Sequence, residues 1–278
     1  METEKQVKEL STKSSIISKN IVFKNLYDVP AKKFLGINIH AVGMRETVDI
    51  IIKAVLDNRY IHQVAVNAFI FVLVKKDRKV KESVEEATLI NADGQSVIWG
   101  SKLLSRRLPE RVTGIDLMEN LIDKAYKHNL KVFLLGAREE IVRKVVDVYS
   151  AKYSASIIAG YRNGYFKKEE EGEIVETISQ SGAHMLFVAM GSPQKEIFLY
   201  ENREKLKINY IMGVGGTFDV IAGKVSRAPM WMQKSGLEWF YRFLQEPKRM
   251  WKRYLITNSL FIYYVFKSLI GKFLKEIE

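Results

Sequence analysis

Cysteine is absent from all 278 residues, which removes a disulfide framework, a thiolate nucleophile and Cys-ligated zinc. Histidine is scarce. His40, His62, His128 and His184 make up the whole set, and no two stand at the helical spacing of a metal pair, so no metal site is expected. The uncharged run from Tyr254 to Phe266 stops at thirteen residues, short of the roughly twenty that cross a hydrocarbon core. The first twenty residues mix Glu2, Glu4, Lys5, Lys8, Glu9 and Lys13 with serines and contain no apolar stretch of the kind a secretory signal needs. With neither an export signal nor cysteine, the expected compartment is the cytoplasm. Phosphate-loop signatures are missing too. Gly213-Val-Gly-Gly-Thr-Phe-Asp219 has Phe218 where GxGxxG requires its third glycine, and it lacks the Lys-Ser/Thr of a P-loop, which disfavours an NAD or ATP enzyme. No Asp-x-Asp pair stands at a strand end, so a bound diphosphate would have to rely on arginines or helix N-termini.

What is present is ample for a packed interior: 47% of residues are hydrophobic, and the length suits one large domain, or one domain with an appendage. The net charge of +12 is concentrated. From Lys224 to Arg253 eight cations face only Glu238 and Glu246, half of the excess, interleaved with Trp231, Trp239, Phe240, Tyr241, Phe243, Trp251 and Tyr254. Basic and aromatic residues leading into an apolar helix fit a segment lying on an anionic membrane surface. Nucleic acid would use the same cations and rings but would gain nothing from the apolar run, so no nucleic-acid partner is expected. The plainer alternative is a core-packing C-terminal helix with a solvated basic face.

Through the middle of the chain short apolar runs alternate with helical patterns. His62–Asn67, Thr88–Ala92, Lys131–Leu135, Ser156–Ala159, Met185–Ala189 and Tyr210–Gly213 read as strands, while Asp116–His128, Arg138–Tyr149, Lys168–Ser179 and Pro193–Leu206 read as helices. The pattern predicts an α/β, Rossmann-like sandwich with a largely parallel sheet, plus a helical C-terminal appendage. The expected division is an N-terminal arm over 1–34, an α/β catalytic domain over 35–229, and a basic, aromatic, amphipathic appendage over 230–278.

In such sheets ligands gather beyond the carboxyl ends of the strands, where this chain places Asn67, Asn91-Ala-Asp-Gly94, Gly191-Ser-Pro-Gln194 and Gly213-Val-Gly-Gly-Thr217. Asp93 is ionised at neutral pH unless perturbed and is suited to take a proton from an attacking alcohol. The competing role is to cap the helix that follows. Arg111 precedes a helix that Thr113 or Asp116 would cap, and its planar guanidinium suits a phosphate or sugar oxygen. Gly191 to Gln194 turns from a strand into a helix whose backbone N–H groups suit a diphosphate, and Gly215 and Gly216 offer further backbone to a nucleotide.

These blocks resemble the WecG/TagA/CpsF glycosyltransferase family. The resemblance covers about Leu35 to Tyr254 and rests on Asn91-Ala-Asp-Gly94, Arg111-Val-Thr-Gly-Ile-Asp-Leu117, Gly191-Ser-Pro-Gln-Lys-Glu196, Val214-Gly-Gly-Thr-Phe-Asp-Val220, Ile221-Ala-Gly-Lys-Val-Ser-Arg-Ala-Pro229, Leu237-Glu-Trp239 and Glu246-Pro247. It implies an inverting, metal-independent transferase that needs no cofactor. Such an enzyme would move an N-acetylmannosamine-type sugar from a UDP-sugar donor to an undecaprenyl-diphosphate-linked acceptor, peripherally on the inner face of the cell membrane, for wall teichoic acid or related polysaccharides. By motif match Asp93 resembles the general base. Asn67, Arg111 and Gln194 match other pocket positions, and Arg242, Arg249 and Arg253 match arginines that the appendage supplies. One departure stands out: Ala65 occupies a position where the family commonly has threonine. The alternatives are a sugar-nucleotide transferase with a soluble acceptor and a basic nucleic-acid-binding α/β protein.

Overall fold

The computed structural model describes residues 29–275. It begins with a hairpin, β1 (Ala31–Phe34) paired antiparallel with β2 (Ile37–His40). Leu35 and Gly36 between them both have positive φ, 47° and 97°, the two-residue turn whose twist matches the flanking strands. Ala31–Phe34, which the sequence placed at the end of the arm, is therefore a strand, and Phe34 is fully buried against Phe71 and Phe261. The earlier part of the expected arm, residues 1–28, lies outside the described residues.

The main sheet has six strands, β3 (Ile61–Val66), β4 (Leu89–Ala92), β5 (Val132–Gly136), β6 (Ile158–Arg162), β7 (Met185–Ala189) and β8 (Tyr210–Gly213). They are all parallel, in the order β4-β3-β8-β7-β5-β6. Every residue of β5 and of β7 is buried, because helices cover both faces and no side of the strand needs to be polar. The pleat divides the side chains: Met185 and Phe187 join the core on one face, Leu186 and Val188 the core on the other. The edge strand β4 is shielded by the hairpin, where His40 Nδ1 accepts the Ile90 N–H at 2.9 Å and so occupies a donor that would otherwise be open to another chain.

One face is covered by α1 (Met44–Leu56), α5 (Gly114–Lys127) and α6 (Glu139–Lys152), whose buried residues recur at helical spacing, as in Leu117, Met118, Leu121 and Ile122. The other face carries α2 (Ala68–Lys76), α3 (Arg78–Glu85), α4 (Gln95–Leu103), α7 (Glu171–Gln180) and α8 (Gln194–Asn202). After the short α9 (Thr217–Ile221), three helices close the chain: α10 (Met230–Lys234), α11 (Glu238–Gln245) and the long α12 (Pro247–Lys275). Pro229, near the expected boundary, is the N-cap of α10. The closing segment is not detached, since Phe261 and Val265 of α12 are buried in the same cluster as Phe34, Phe71 and Ile98. Among the described residues no helix is long and apolar enough to cross a membrane.

Candidate active site

Three strand ends meet at one cavity of about 660 Å³, lined by Asn67 after β3, Asp93 after β4 and Val214 after β8. That volume is of the size that takes a small ligand. Asp93 is held there by its backbone, whose N–H donates to Val66 O at 2.9 Å, while Val112 N–H donates to Ala92 O at 2.8 Å. Asn91, two residues earlier, anchors the strand: its Nδ2 donates to Thr47 Oγ1 at 3.0 Å and its Oδ1 accepts from Gln63 Nε2 at 3.1 Å. The capping role open to Asp93 is not the one it takes. Gly94 is the N-cap of α4 and has no side-chain bond, whereas Asp93 Oδ1 accepts the N–H of Gly114, the first residue of α5, at 3.3 Å. Asn67 is itself the cap of α2, its Oδ1 accepting from Phe69 and Ile70. The N-terminus of α5 and the Asn67 side chain therefore both face the carboxylate, which suits its charged form.

Other groups oppose that charge. Burial pushes the Asp93 carboxyl above its ordinary range; Glu238 adds to the rise, and Arg111, the Gly114 N–H and the Asn67 side chain restrain it. The result is a carboxylate with increased proton affinity inside a ligand-sized cavity, the combination expected of a general base.

Around it stands a chain of charges. Arg111 Nη2 pairs with Glu238 Oε2 at 3.0 Å, Glu238 Oε1 lies 3.7 Å from Arg227 Nε, and Arg227 Nη2 pairs with Asp116 Oδ2 at 2.7 Å. Thr113 caps α5, accepting from Asp116 N–H at 3.3 Å and donating to the Asp116 carboxylate. Burial alone would raise Asp116, but the hydrogen bonds from Arg227 and Thr113 outweigh it and hold the carboxyl below its usual value. Arg242 and Arg253 line the same cavity. Arg242 Nε is buried without a hydrogen-bond partner among the described residues, a donor left open to an anion. The Arg242 guanidinium lies so close to Gly216 that a Cβ at that position would collide with it.

The comparisons with known proteins fit this geometry. The glycosyl transferase WecG/TagA/CpsF family matches residues 32–274. The chain belongs to this family and is a glycosyltransferase. A relative from Bacillus subtilis (strain 168), N-acetylglucosaminyldiphosphoundecaprenol N-acetyl-beta-D-mannosaminyltransferase, is 37% identical over 180 residues, which is 65% of this chain and 69% of the relative.

Of the positions that the family resemblance singled out, Asp93, Asn67, Arg111, Arg242 and Arg253 line one cavity. Gly191 and Gln194, after β7, are exposed and do not line it, and neither does Gly215. The side chain of Arg249 lies outside the described residues. Ala65, where the family commonly has threonine, sits in β3 opposite Asn91 and does not line the cavity. In the sequence Glu238 and Arg227 stand out as charges and as members of two family blocks, with no role attached to either. The scarcity of acids in that strongly basic segment, where only Glu238 and Glu246 stand among eight cations, is the available signal that Glu238 has a specific cationic partner.

Proposed function

We propose that this glycosyltransferase moves an N-acetylmannosamine-type sugar from a UDP-sugar to the N-acetylglucosamine of an undecaprenyl-diphosphate-linked acceptor. It does so at the cytoplasmic face of the membrane, in building wall teichoic acid or a related surface polysaccharide. The observation that carries this reading is a desolvated carboxylate sharing one cavity with Arg111, Arg242 and Arg253, in a chain whose relative has this activity in its name.

Asp93 takes the proton of the acceptor hydroxyl while that oxygen bonds to the anomeric carbon. The bond from that carbon to the β-phosphate oxygen breaks, and UDP leaves with the bonding pair. A single displacement inverts the anomeric centre. Arg242 and Arg253, with Arg111 behind Asp93, offset the charge developing on the diphosphate, and holding both substrates in one cavity supplies the orientation. The nucleotide end of the donor extends along the strand ends toward Gly215 and Gly216, and on to Gly191 and Gln194 at the next strand. The exposed rings and aliphatic side chains of the closing helices, Trp231, Trp251 and Leu255 among them, rest on anionic lipid, with Lys248 and Lys252 facing the headgroups.

The test is a screen of UDP-sugars against a polyprenyl-diphosphate-N-acetylglucosamine analogue, reading released UDP. The expected result is release with UDP-N-acetylmannosamine that depends on the acceptor. Equal release with and without acceptor, or transfer only to a water-soluble sugar, would refute it.

A further inference from the structure

The cavity around Asp93 is graded along its length. On α12 its wall is a stripe at helical spacing that begins with Arg253, passes Thr257 and Asn258, and ends in Phe261, Ile262 and Phe266. That stretch is about 20 Å long at roughly 1.5 Å per residue. On α4 the same change occurs, from Gln95 and Ser96 beside Asp93 to Trp99 and Leu103 farther out. At its start α12 lies against α2, where the Arg253 guanidinium is 4.3 Å from the centre of the Phe69 ring. Two contacts then show α12 running alongside α4 in the same direction: a Cβ on Gly100 would lie 3.3 Å from Val265 Cγ2, and just past the end of α4 Lys272 Nζ donates to Ser105 Oγ at 3.1 Å.

The outer half is an apolar groove. Trp99 and Leu103 form one ridge and Ile262 and Phe266 the other, each pair four residues apart on its helix, and all four are between 50% and 54% exposed. Between the ridges Gly100, Phe261 and Val265 are buried and close the floor. Phe34 and Val265 press against Gly100, and no larger residue would fit without displacing them.

We propose that the groove between α4 and α12 seats the first isoprene units of the acceptor's polyprenyl chain. The proposal rests on the function argued above and adds the subsite and its residues. The occupant is identified by the order of chemistry. A polyprenyl-diphosphate sugar is a hydroxylated head, then a dianionic link, then a hydrocarbon tail, and the cavity presents a carboxylate, then guanidiniums, then an apolar trough in the same sequence. A flat membrane contact would need no floor and no gradient, and a second protein chain would leave the guanidinium end unmatched.

The experiment uses the full chain without membranes or detergent. The acceptors are N-acetylglucosamine-diphosphate esters with either a short alkyl chain or a three-isoprene chain, both below their aggregation concentrations. Wild type is compared with Leu103→Gln and Ile262→Gln, which lie on opposite walls at half-exposed positions, so that a folding defect in one leaves the other informative. Each buried methylene is worth about fourfold in affinity, so wild type is expected to favour the isoprene acceptor by tenfold or more in kcat/KM, mainly through KM. That preference should fall below threefold in each variant. An unchanged preference in both variants overturns the proposal. So does a loss of vesicle flotation or of self-association with the preference intact, since the residues would then face bulk lipid or a second copy. Wild type transferring to both acceptors without preference removes the groove alone, whereas transfer to neither removes the underlying function as well.

Discussion

A carboxylate partly withdrawn from water binds protons more readily and stabilises the fold less. Asp93 shows both effects, because burial raises its proton affinity and only Arg111, the Gly114 N–H and the Asn67 amide offset the cost. Asp93→Asn preserves size and can still accept the Gly114 N–H, but cannot take a proton. We expect UDP release to fall by roughly 10²–10⁴, the usual worth of a positioned base; activity within about threefold of wild type would remove Asp93 from that role. The same variant should be more stable at neutral pH. A folded-state value above the ordinary 3.8 means that the unfolded chain releases its proton first. Wild-type stability therefore drops as pH rises from the unfolded value through the folded one. Thermal melting should show the Asp93→Asn protein above wild type at pH 7 and level with it near pH 3, where the carboxyl is protonated in both states. No gain at pH 7 would mean that the carboxylate is better compensated than its surroundings indicate.

Among the elements, α11 is tied to the α/β sandwich by charge, for none of its residues is fully buried. Its first residue, Glu238, links Arg111 to Arg227, and the Arg111 and Glu238 side chains are only 17% and 25% exposed. Such a pair lies between exposed ones, worth under about 1 kcal/mol, and buried ones, whose disruption costs about 3–5, so Glu238→Gln should cost about 2 kcal/mol of stability. It should also change the chemistry. The charged and polar groups facing Asp93 are Arg111, Glu238, Asn67 and the Gly114 N–H, and Glu238 is the one whose charge raises proton affinity. Without that charge, Asp93 becomes a weaker base, the acid limb of kcat/KM moves to lower pH and kcat declines. A melting shift with an unmoved pH profile would reduce Glu238 to a structural tie. This link also shows what the sequence leaves unread. The bounds of β7 and β8 are legible residue for residue, because strands buried on both faces leave continuous apolar runs ended by turn residues. Asn67, Asp93 and Arg111 are legible as a group because each stands just beyond a strand or before a helix. The β1–β2 hairpin escapes notice because Lys32 and Lys33 obscure its inward residues. The Arg111–Glu238 pair escapes because its partners are 127 residues apart, and only the fold brings them together.

At the scale of the whole molecule, the cavity around Asp93 and the apolar surface share one helix. Along α12, Phe261 and Val265 face the core, while Trp251, Leu255, Ile262, Phe266 and Ile270 are exposed at spacings of four or seven residues. Anchoring on lipid would therefore bring the membrane to the open end of the cavity, where a lipid-linked acceptor has to enter. Removing the closing helices is a poor test of this arrangement, since it would also strip Phe261 and Val265 from the cluster that holds Phe34 and Phe71. Substituting exposed positions avoids that damage. Trp231→Ser with Trp251→Ser removes two rings that are 64% and 53% exposed and leaves every lining residue of the cavity in place. We expect wild type to float with vesicles containing anionic lipid and to release them progressively as salt is raised. The double variant should bind them at least tenfold more weakly, because each ring carries substantial apolar area into the interface. Transfer to a vesicle-borne acceptor should fall in proportion to binding, while transfer to a short-chain acceptor free in water should hold within about twofold. Equal flotation of the two proteins would place the membrane contact on another face of the molecule and separate it from the mouth of the cavity.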